Sequence, residues 1–427
     1  MNNSSKSYSK LYPWLVWGLA AAYFFSEYVA RVSPSIMTQD LMATFKVHAL
    51  ALGSLSAFFY YAYVSMQVPV GMLVDKYGAH RLLTLMAGLC AGGCFIFANS
   101  TSLAAADFAR FLMGFGAAFA FVGALKIATV WFPSERFGLL AGLTQAIGML
   151  GAAFGEGPMS VVVAHLGWQD ALWIMGSVLL VLAVLIGLFV RDQPTKLNKE
   201  EKQAMRESRI SLVHALGVVL RNPQSWLNSA YAGLLYAPTA AFAELWGVSY
   251  LSRVYNLSTE VAASAISMIF IGWVIGGPIA GLISDKLLKR LPLMYFSVIA
   301  CLITMSIVLY SPHLPVWSVF VLLFIYGLCN TGVAISYAVA SENNPHHLAG
   351  TSMAFTNMAS VLVGAAFQPI IGWFLDLQWK GEMVAGAPFY SAHDFRVAMM
   401  ALPVCLLLGL GVNFLVRETH CKIMEKN

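Results

Sequence analysis

Twelve stretches of this chain are apolar for long enough to cross a bilayer, and that feature leaves few folds open. They lie at about 12–36, 50–73, 82–98, 103–130, 139–163, 170–190, 226–250, 263–283, 292–310, 316–340, 349–375 and 395–416. About 20 apolar residues in a helix span the hydrocarbon layer. Lipid offers the backbone no hydrogen-bond partner, so continuous apolar runs of this length must be helical. A transmembrane barrel would show short alternating segments instead, and none dominate. With 59% hydrophobic and 11% charged residues, the chain cannot hide its apolar surface in one soluble core. Disorder and a free-standing coiled coil are excluded by the same figures. The polar run Met1 to Lys10 is not a cleavable signal peptide, because the apolar run behind it is too long.

Basic residues orient the spans. With both termini cytoplasmic, 18 of the 25 Lys and Arg residues fall in cytoplasmic segments. Four fall outside (Lys46, Arg253, Lys380, Arg396) and three within spans (Arg31, Arg110, Lys126). This bias predicts cytoplasmic termini, a cytoplasmic 191–221 segment, and extracytoplasmic loops near Ser100 and Pro312. The net charge of +5 gives no indication of a nucleic-acid partner.

The chain also repeats itself. Gly71-Met-Leu-Val-Asp75-Lys76 follows the second span, and Gly281-Leu-Ile-Ser-Asp285-Lys286 follows the eighth. Ala141-Gly142 opens the fifth span and Ala349-Gly350 the eleventh. A basic–acidic pair closes each half, Arg191-Asp192 and Arg417-Glu418. The expected fold is therefore an all-α polytopic membrane protein of twelve helices in two pseudo-symmetric six-helix bundles. The expected divisions are 1–190, a cytoplasmic linker at 191–221, and 222–427. Two parallel halves around a cavity suit alternating access.

The loop from Gly71 to Arg81, with Gly71, Asp75, Lys76, Gly78 and Arg81 in place, resembles the signature loop between helices two and three of the major facilitator superfamily. The resemblance runs from about 12 to 416. It implies that Asp75, Lys76, Arg81 and Asp285 control conformation, with Asp75 meeting a helix N-terminus across its half. Arg110-Phe-Leu-Met-Gly114-Phe-Gly116 is similar to the family's fourth-helix signature and implies a place for Arg110 near the coupling machinery. The fifth-helix antiporter signature is poorly kept. Gly157-Pro158 is present, but Ser160-Val161 replaces the paired glycines and Glu156 intrudes, which weakens a drug-exporter reading. Glu27-Tyr-Val-Ala-Arg31-Val-Ser-Pro34-Ser-Ile-Met37 resembles the first helix of phagosomal nutrient transporters of intracellular bacteria. That subgroup implies import of amino acids, or in some members nucleosides, across a bacterial inner membrane.

Charges within spans are costly and so mark candidate sites. Glu27 and Arg31 share a helix face, with Tyr23 one turn inward. Depth counting places Glu27, Arg31, Asp107, Arg110, Glu156 and Glu244 in the outer half of four helices. Substrate contacts are expected from Tyr23, Glu27, Arg31, Arg110, Tyr236, Glu244, Asn330 and Asn357. Proton coupling is expected from Glu156, Glu244, Glu27 or Asp107. The bland alternatives are an Asp107–Arg110 pair, and Arg31 or Lys126 snorkelling to a surface. Tyr60, Tyr61, Tyr63, Gln67, Gln145, Tyr231, Tyr326 and Tyr337 are further cavity candidates. The glycine-rich patches 88–93, 148–157 and 272–281 read as packing surfaces. The six cysteines read as small apolar residues rather than a metal or disulfide set.

No phosphate-binding Gly-Lys-Ser/Thr loop and no His-Glu-x-x-His occurs, so an enzyme is not expected. The expected function is proton-coupled import of a neutral amino acid by a monomer in the lipid bilayer, with no cofactor beyond H+ as coupling ion. Charges of both signs at one depth suit a zwitterion. The alternatives are a proton-driven exporter of drugs or metabolites, an importer of a nucleoside, small peptide or organic anion, and a membrane sensor that no longer transports.

Overall fold

The computed structural model describes residues 11–67, 69–192, 212–311, 314–345 and 348–422. Lys6, Lys10, Lys426, most of the 191–221 segment and the Pro312 loop lie outside the described residues. Among the described residues the chain is all-α apart from one antiparallel pair, Met383–Val384 with Ala387–Pro388. Among the described residues, ten helices are long and apolar enough to cross a membrane. Two further long helical runs, Tyr12–Val32 and the contiguous 223–254, carry the buried charges Glu27, Arg31 and Glu244.

Those two runs are bent by identifiable chemistry. Helix α1 (Tyr12–Val32) gives way to a 3₁₀ turn, Ser33–Met37, where Pro34 has no N–H to offer the Ala30 carbonyl. The Ser33 hydroxyl and Arg110 Nη1 occupy that carbonyl instead, both at 2.9 Å. The second run passes from α-helix (Pro223–Pro238) through a π-helical turn (Thr239–Trp246) back to α-helix (Gly247–Val254). Here Pro238 and the change of pitch release the carbonyls of Leu234 and Leu235. Cys405 Sγ takes the first at 3.2 Å and Asn330 Nδ2 the second at 2.9 Å.

Glycine sets how closely the helices approach. A Cβ on Gly114 of the helix Leu103–Trp131 would strike the backbone of Phe59, and one on Gly327 of Val316–Asn330 would strike that of Ile269. Gly151 and Gly155 press on Phe25 and Val29 in the same way. Gly88, Gly92, Gly277 and Gly281 meet nothing within 4 Å, so the 148–157 patch packs throughout while the 88–93 and 272–281 patches pack only in part. Cys90, Cys94, Cys301, Cys329 and Cys405 are buried and free.

The acids of the two basic–acidic pairs have matching places. Asp192 Oδ1 accepts the His80 N–H at 2.7 Å, at the start of the helix Ala79–Ala98. Glu418 accepts the N–H groups of Arg290 and Leu291 at 2.8 and 2.9 Å, at the start of Leu291–Tyr310. Each carboxylate satisfies donors that a helix N-terminus leaves open and sits at its positive end.

Residues before 193 meet those after 211 along several seams. Gly157 N donates to Ser267 Oγ at 2.9 Å, Ser267 Oγ to Ala153 O at 2.8 Å, and Thr38 and Ser249 share a bond of 2.7 Å. At the N-terminus of the helix Ala49–Met66, Asp376 accepts the Ala49 and Leu50 N–H groups at 3.0 and 2.9 Å and the Tyr390 hydroxyl at 2.5 Å. His48 meets Trp379 edge-on at 4.5 Å. Most of these crossings cluster towards the end of the molecule that carries Ser100. Among the described residues, Asn357 Nδ2 to Gln67 Oε1 at 2.8 Å is the crossing nearest the opposite, Asp75 end.

Candidate functional site

The last turns of helix α1, just before its bend, carry Glu27 and Arg31 on a buried face. Arg31 Nη2 bonds both Glu27 oxygens, at 3.0 and 3.2 Å, and both residues are buried. The guanidinium lies over the Tyr28 ring at 4.1 Å and the Tyr63 ring at 4.6 Å, with Phe59 at 5.5 Å and Tyr60 at 6.0 Å. This aromatic cage holds a cation by ring electrostatics while keeping water out. Against it stands Glu244, brought in by the π-helical turn. Tyr236 donates to its Oε1 at 2.7 Å and Tyr60 donates to its Oε2. Single π turns are often found at functional sites, because they re-aim side chains within an otherwise continuous helix. Glu27, Arg31, Tyr60, Tyr236 and Glu244 thus form one buried polar group drawn from three stretches of chain.

Other expected residues are placed differently. Arg110 is fully buried and its two Nη groups donate to the carbonyls of Ala30, Arg31 and Ser56, at 2.9, 3.1 and 3.4 Å, with its Nε unpartnered and its guanidinium 4.8 Å above Phe59. It holds the bend of α1 rather than facing open space. The Asp107–Arg110 pair is not formed; Asp107 is half-buried and its Oδ1 has no partner. Asn330 is absorbed by Leu235 O, Tyr326, Cys301 and Thr239. Asn357 bridges Gln67 and Tyr337. The Tyr23 hydroxyl is buried without a partner. Lys126 does not simply snorkel: it pairs with Asp75 at 2.8 Å. Asp285 pairs with Arg290 at 2.7 Å, and Arg290 also pairs with Glu342 at 2.7 Å. Lys76 lies 4.9 Å from the Tyr77 ring, and Arg81 is exposed.

Glu156 sits apart from the Arg31 group. Its Oε1 accepts from Ser35 Oγ at 2.6 Å, and its buried Oε2 has no partner. Ser35 also lines a cavity of about 460 Å³ at the Ser100 end, together with Thr38, Asp40, Trp246, Ser249 and Arg253. Sequence reading passed over Ser35 and Tyr28. Ser35 carried one usable signal, its place just after the helix-breaking Pro34. Among the described residues no group of His, Cys, Asp and Glu is arranged to hold a metal.

A model of the Major Facilitator Superfamily matches residues 19–369. The chain is 24% identical over 283 residues to a probable sulfoacetate transporter, SauU, of Cupriavidus necator, a match covering 65% of this chain and 66% of that protein. It is 26% identical to the membrane sensor protein UhpC of Salmonella typhimurium, over 64% of this chain and 63% of that one. It therefore spans a little under two thirds of the length of these relatives. A probable galactarate/D-glucarate transporter, GudP, of Bacillus subtilis is 23% identical, over 90% of this chain and 89% of that protein. Among solved structures, a bacterial homologue of the human lysosomal transporter Spinster, inward-facing and occupied, superposes with a TM-score of 0.80 at 16% identity, over 96% of this chain and 97% of that one.

Proposed function

Since the chain belongs to the Major Facilitator Superfamily, whose transporters are not enzymes, we propose that it is a secondary carrier importing a small organic anion, with Arg31 receiving the anionic group. One observation carries this reading: the Arg31 guanidinium is buried in an aromatic cage, and its one ion pair is with Glu27 on the same helix. A planar guanidinium matches a carboxylate or sulfonate in two-point contact. To take a substrate, Arg31 must release Glu27. Protonation of Glu27 removes the charge that holds the pair, so arrival of a proton and arrival of an anion favour each other. Glu244, steadied by the Tyr60 and Tyr236 hydroxyls, keeps its own place beside the site.

The named substrates of SauU and GudP, sulfoacetate and galactarate or D-glucarate, support an anion over the neutral amino acid first expected. No relative described above bears on the phagosomal subgroup, and that narrower placing is set aside. Tyr12–Val32 and 223–254 are read as the first and seventh spans, which brings the ten to twelve. Residues 1–190 and 222–427 are then two six-helix bundles, with the Asp75 end cytoplasmic. The matching glycine contacts and helix caps of the two halves support this. The crossings concentrated at the Ser100 end suit a carrier closed on its outer side.

Uptake of labelled sulfoacetate, galactarate and alanine into proteoliposomes tests the proposal. Sulfoacetate is expected to enter and to be inhibited by small monocarboxylates but not by their amides. Transport of alanine alone, or competition by amides as strong as by acids, overturns the anion reading. Binding without flux would favour a sensor.

A further inference from the structure

Among the described residues Glu27, Glu244 and Glu156 are the carboxylates exposed by no more than 1%, and the first two are accounted for. Glu27 has Arg31, and Glu244 has two tyrosine hydroxyls beside the same guanidinium. Glu156 has one neutral partner, Ser35, and one oxygen with none, at 0% exposure. A buried carboxylate without a counter-charge is costly, so such an acid is held neutral or holds a cation.

Its surroundings narrow the choice. The first helix brings the Glu27–Arg31 pair, already closed on itself. The π-helical turn brings Glu244. The helix Thr259–Leu287 brings the neutral Ser264 and Ser267, with Glu260 at its far start. His165 lies further along the helix of Glu156 itself. Asp40 and Arg253 stand on the cavity wall. None of these charges bonds Glu156. A metal cation would need several converging oxygens, whereas Ser35 Oγ alone faces the carboxylate. A proton needs no more than that.

The position of Ser35 gives the route. It bonds Glu156 on one side and lines the 460 Å³ cavity at the Ser100 end on the other. Gly157, the next residue in the chain, donates to Ser267 across the seam between the two parts of the molecule. Glu156 is therefore sealed by contacts that part when the Ser100 end opens.

Resting on the carrier reading above, we propose that Glu156 is a proton-binding site distinct from the Arg31 substrate site, loaded from the outer cavity through the Ser35 hydroxyl. In the loading step a hydronium ion in the cavity gives a proton to Ser35 Oγ and becomes water, while the Ser35 hydroxyl proton passes to Glu156 Oε1. One proton is gained by the carboxylate, and the serine is left as it began.

The test needs no substrate. Infrared difference spectra of the purified protein, recorded between acid and alkaline pH, follow the carbonyl stretch of protonated carboxyl groups, and its shift in D₂O times the proton exchange. Glu156→Gln should remove one carboxyl band and lower proton uptake by about one per molecule, measured with a dye in weak buffer. Ser35→Ala should keep the band but slow its exchange at least ~10-fold, and Ser35→Thr should restore the rate. Thermal unfolding confirms that each variant is folded. An unchanged band in folded Glu156→Gln, wild-type exchange in Ser35→Ala, or loss of the band on adding sodium at fixed pH overturns the proposal. Absence of anion flux in wild type with the Glu156 band intact would instead refute the carrier reading alone.

Discussion

Replacing Asp376 with alanine should loosen the closed Ser100 end. The carboxylate accepts two backbone N–H groups from the first turn of Ala49–Met66, at 3.0 and 2.9 Å, and the Tyr390 hydroxyl at 2.5 Å. Each hydrogen bond to a charged group contributes about 1.5–3 kcal/mol in a dry setting. Asp376 is only half-buried, so water can replace part of this. Tyr390 would still accept the Ala49 N–H at 3.0 Å. A net loss of about 2 kcal/mol is therefore a reasonable scale, and it corresponds to a roughly thirty-fold shift in a two-state ratio. The loss falls on one state, because the cap joins segments that separate when this end opens. Spin labels on cysteines at Thr44 and Lys380, both exposed, report the distance across the end. The expected result is a longer-distance population in Asp376→Ala that is minor or absent in the parent. An identical distance distribution in a protein of normal thermal stability would refute the reasoning.

Arg31→Lys should cut anion uptake at least ~10-fold with little loss of stability, since an ammonium cannot reproduce the two-point, ring-stacked contact; uptake kinetics check it. Gly114→Ala should destabilise by about 1–3 kcal/mol, because the new Cβ meets the Phe59 backbone, which cannot give way as a side chain can; a thermal melt of the detergent-solubilised protein reads the shift. Asp192→Ala should cost about 1 kcal/mol by uncapping Ala79–Ala98, and amide exchange should quicken at His80.

The long spans were readable from composition because lipid imposes one rule on the backbone: satisfy every donor internally. The polar interior was harder. Arg110 reads as a substrate ligand from its intramembrane charge, and its contact with the Ala30 carbonyl depends on Pro34, which lies on a different helix and strips a donor from the chain. Asn330 answers to Pro238 in the same manner. In both cases the clue was the proline, and connecting it to a distant side chain needs the three-dimensional packing. Glu27 and Arg31 were legible together because i to i+4 spacing is a local relation. The Glu244 contacts were not, because the π turn that aims this residue has no sequence mark beyond the neighbouring proline. The repeated Arg-Asp and Arg-Glu pairs were visible as repeats, while their role as helix caps appears only when the chain returns to the start of an earlier helix.

Those two caps also bear on the order in which the protein can mature. A ribosome delivers the chain from its N-terminus. The start of Ala79–Ala98 waits for Asp192, which emerges as soon as the first six apolar stretches are complete. The start of Leu291–Tyr310 waits for Glu418, which lies beyond the last of them. The earlier half can thus settle while the later half is still being inserted. The later half keeps its Arg290 and Leu291 N–H groups uncapped until synthesis has passed every membrane segment. Shortening the tail before Glu418 should therefore be felt first at residue 290, far away in sequence, as slow maturation rather than as a missing tail.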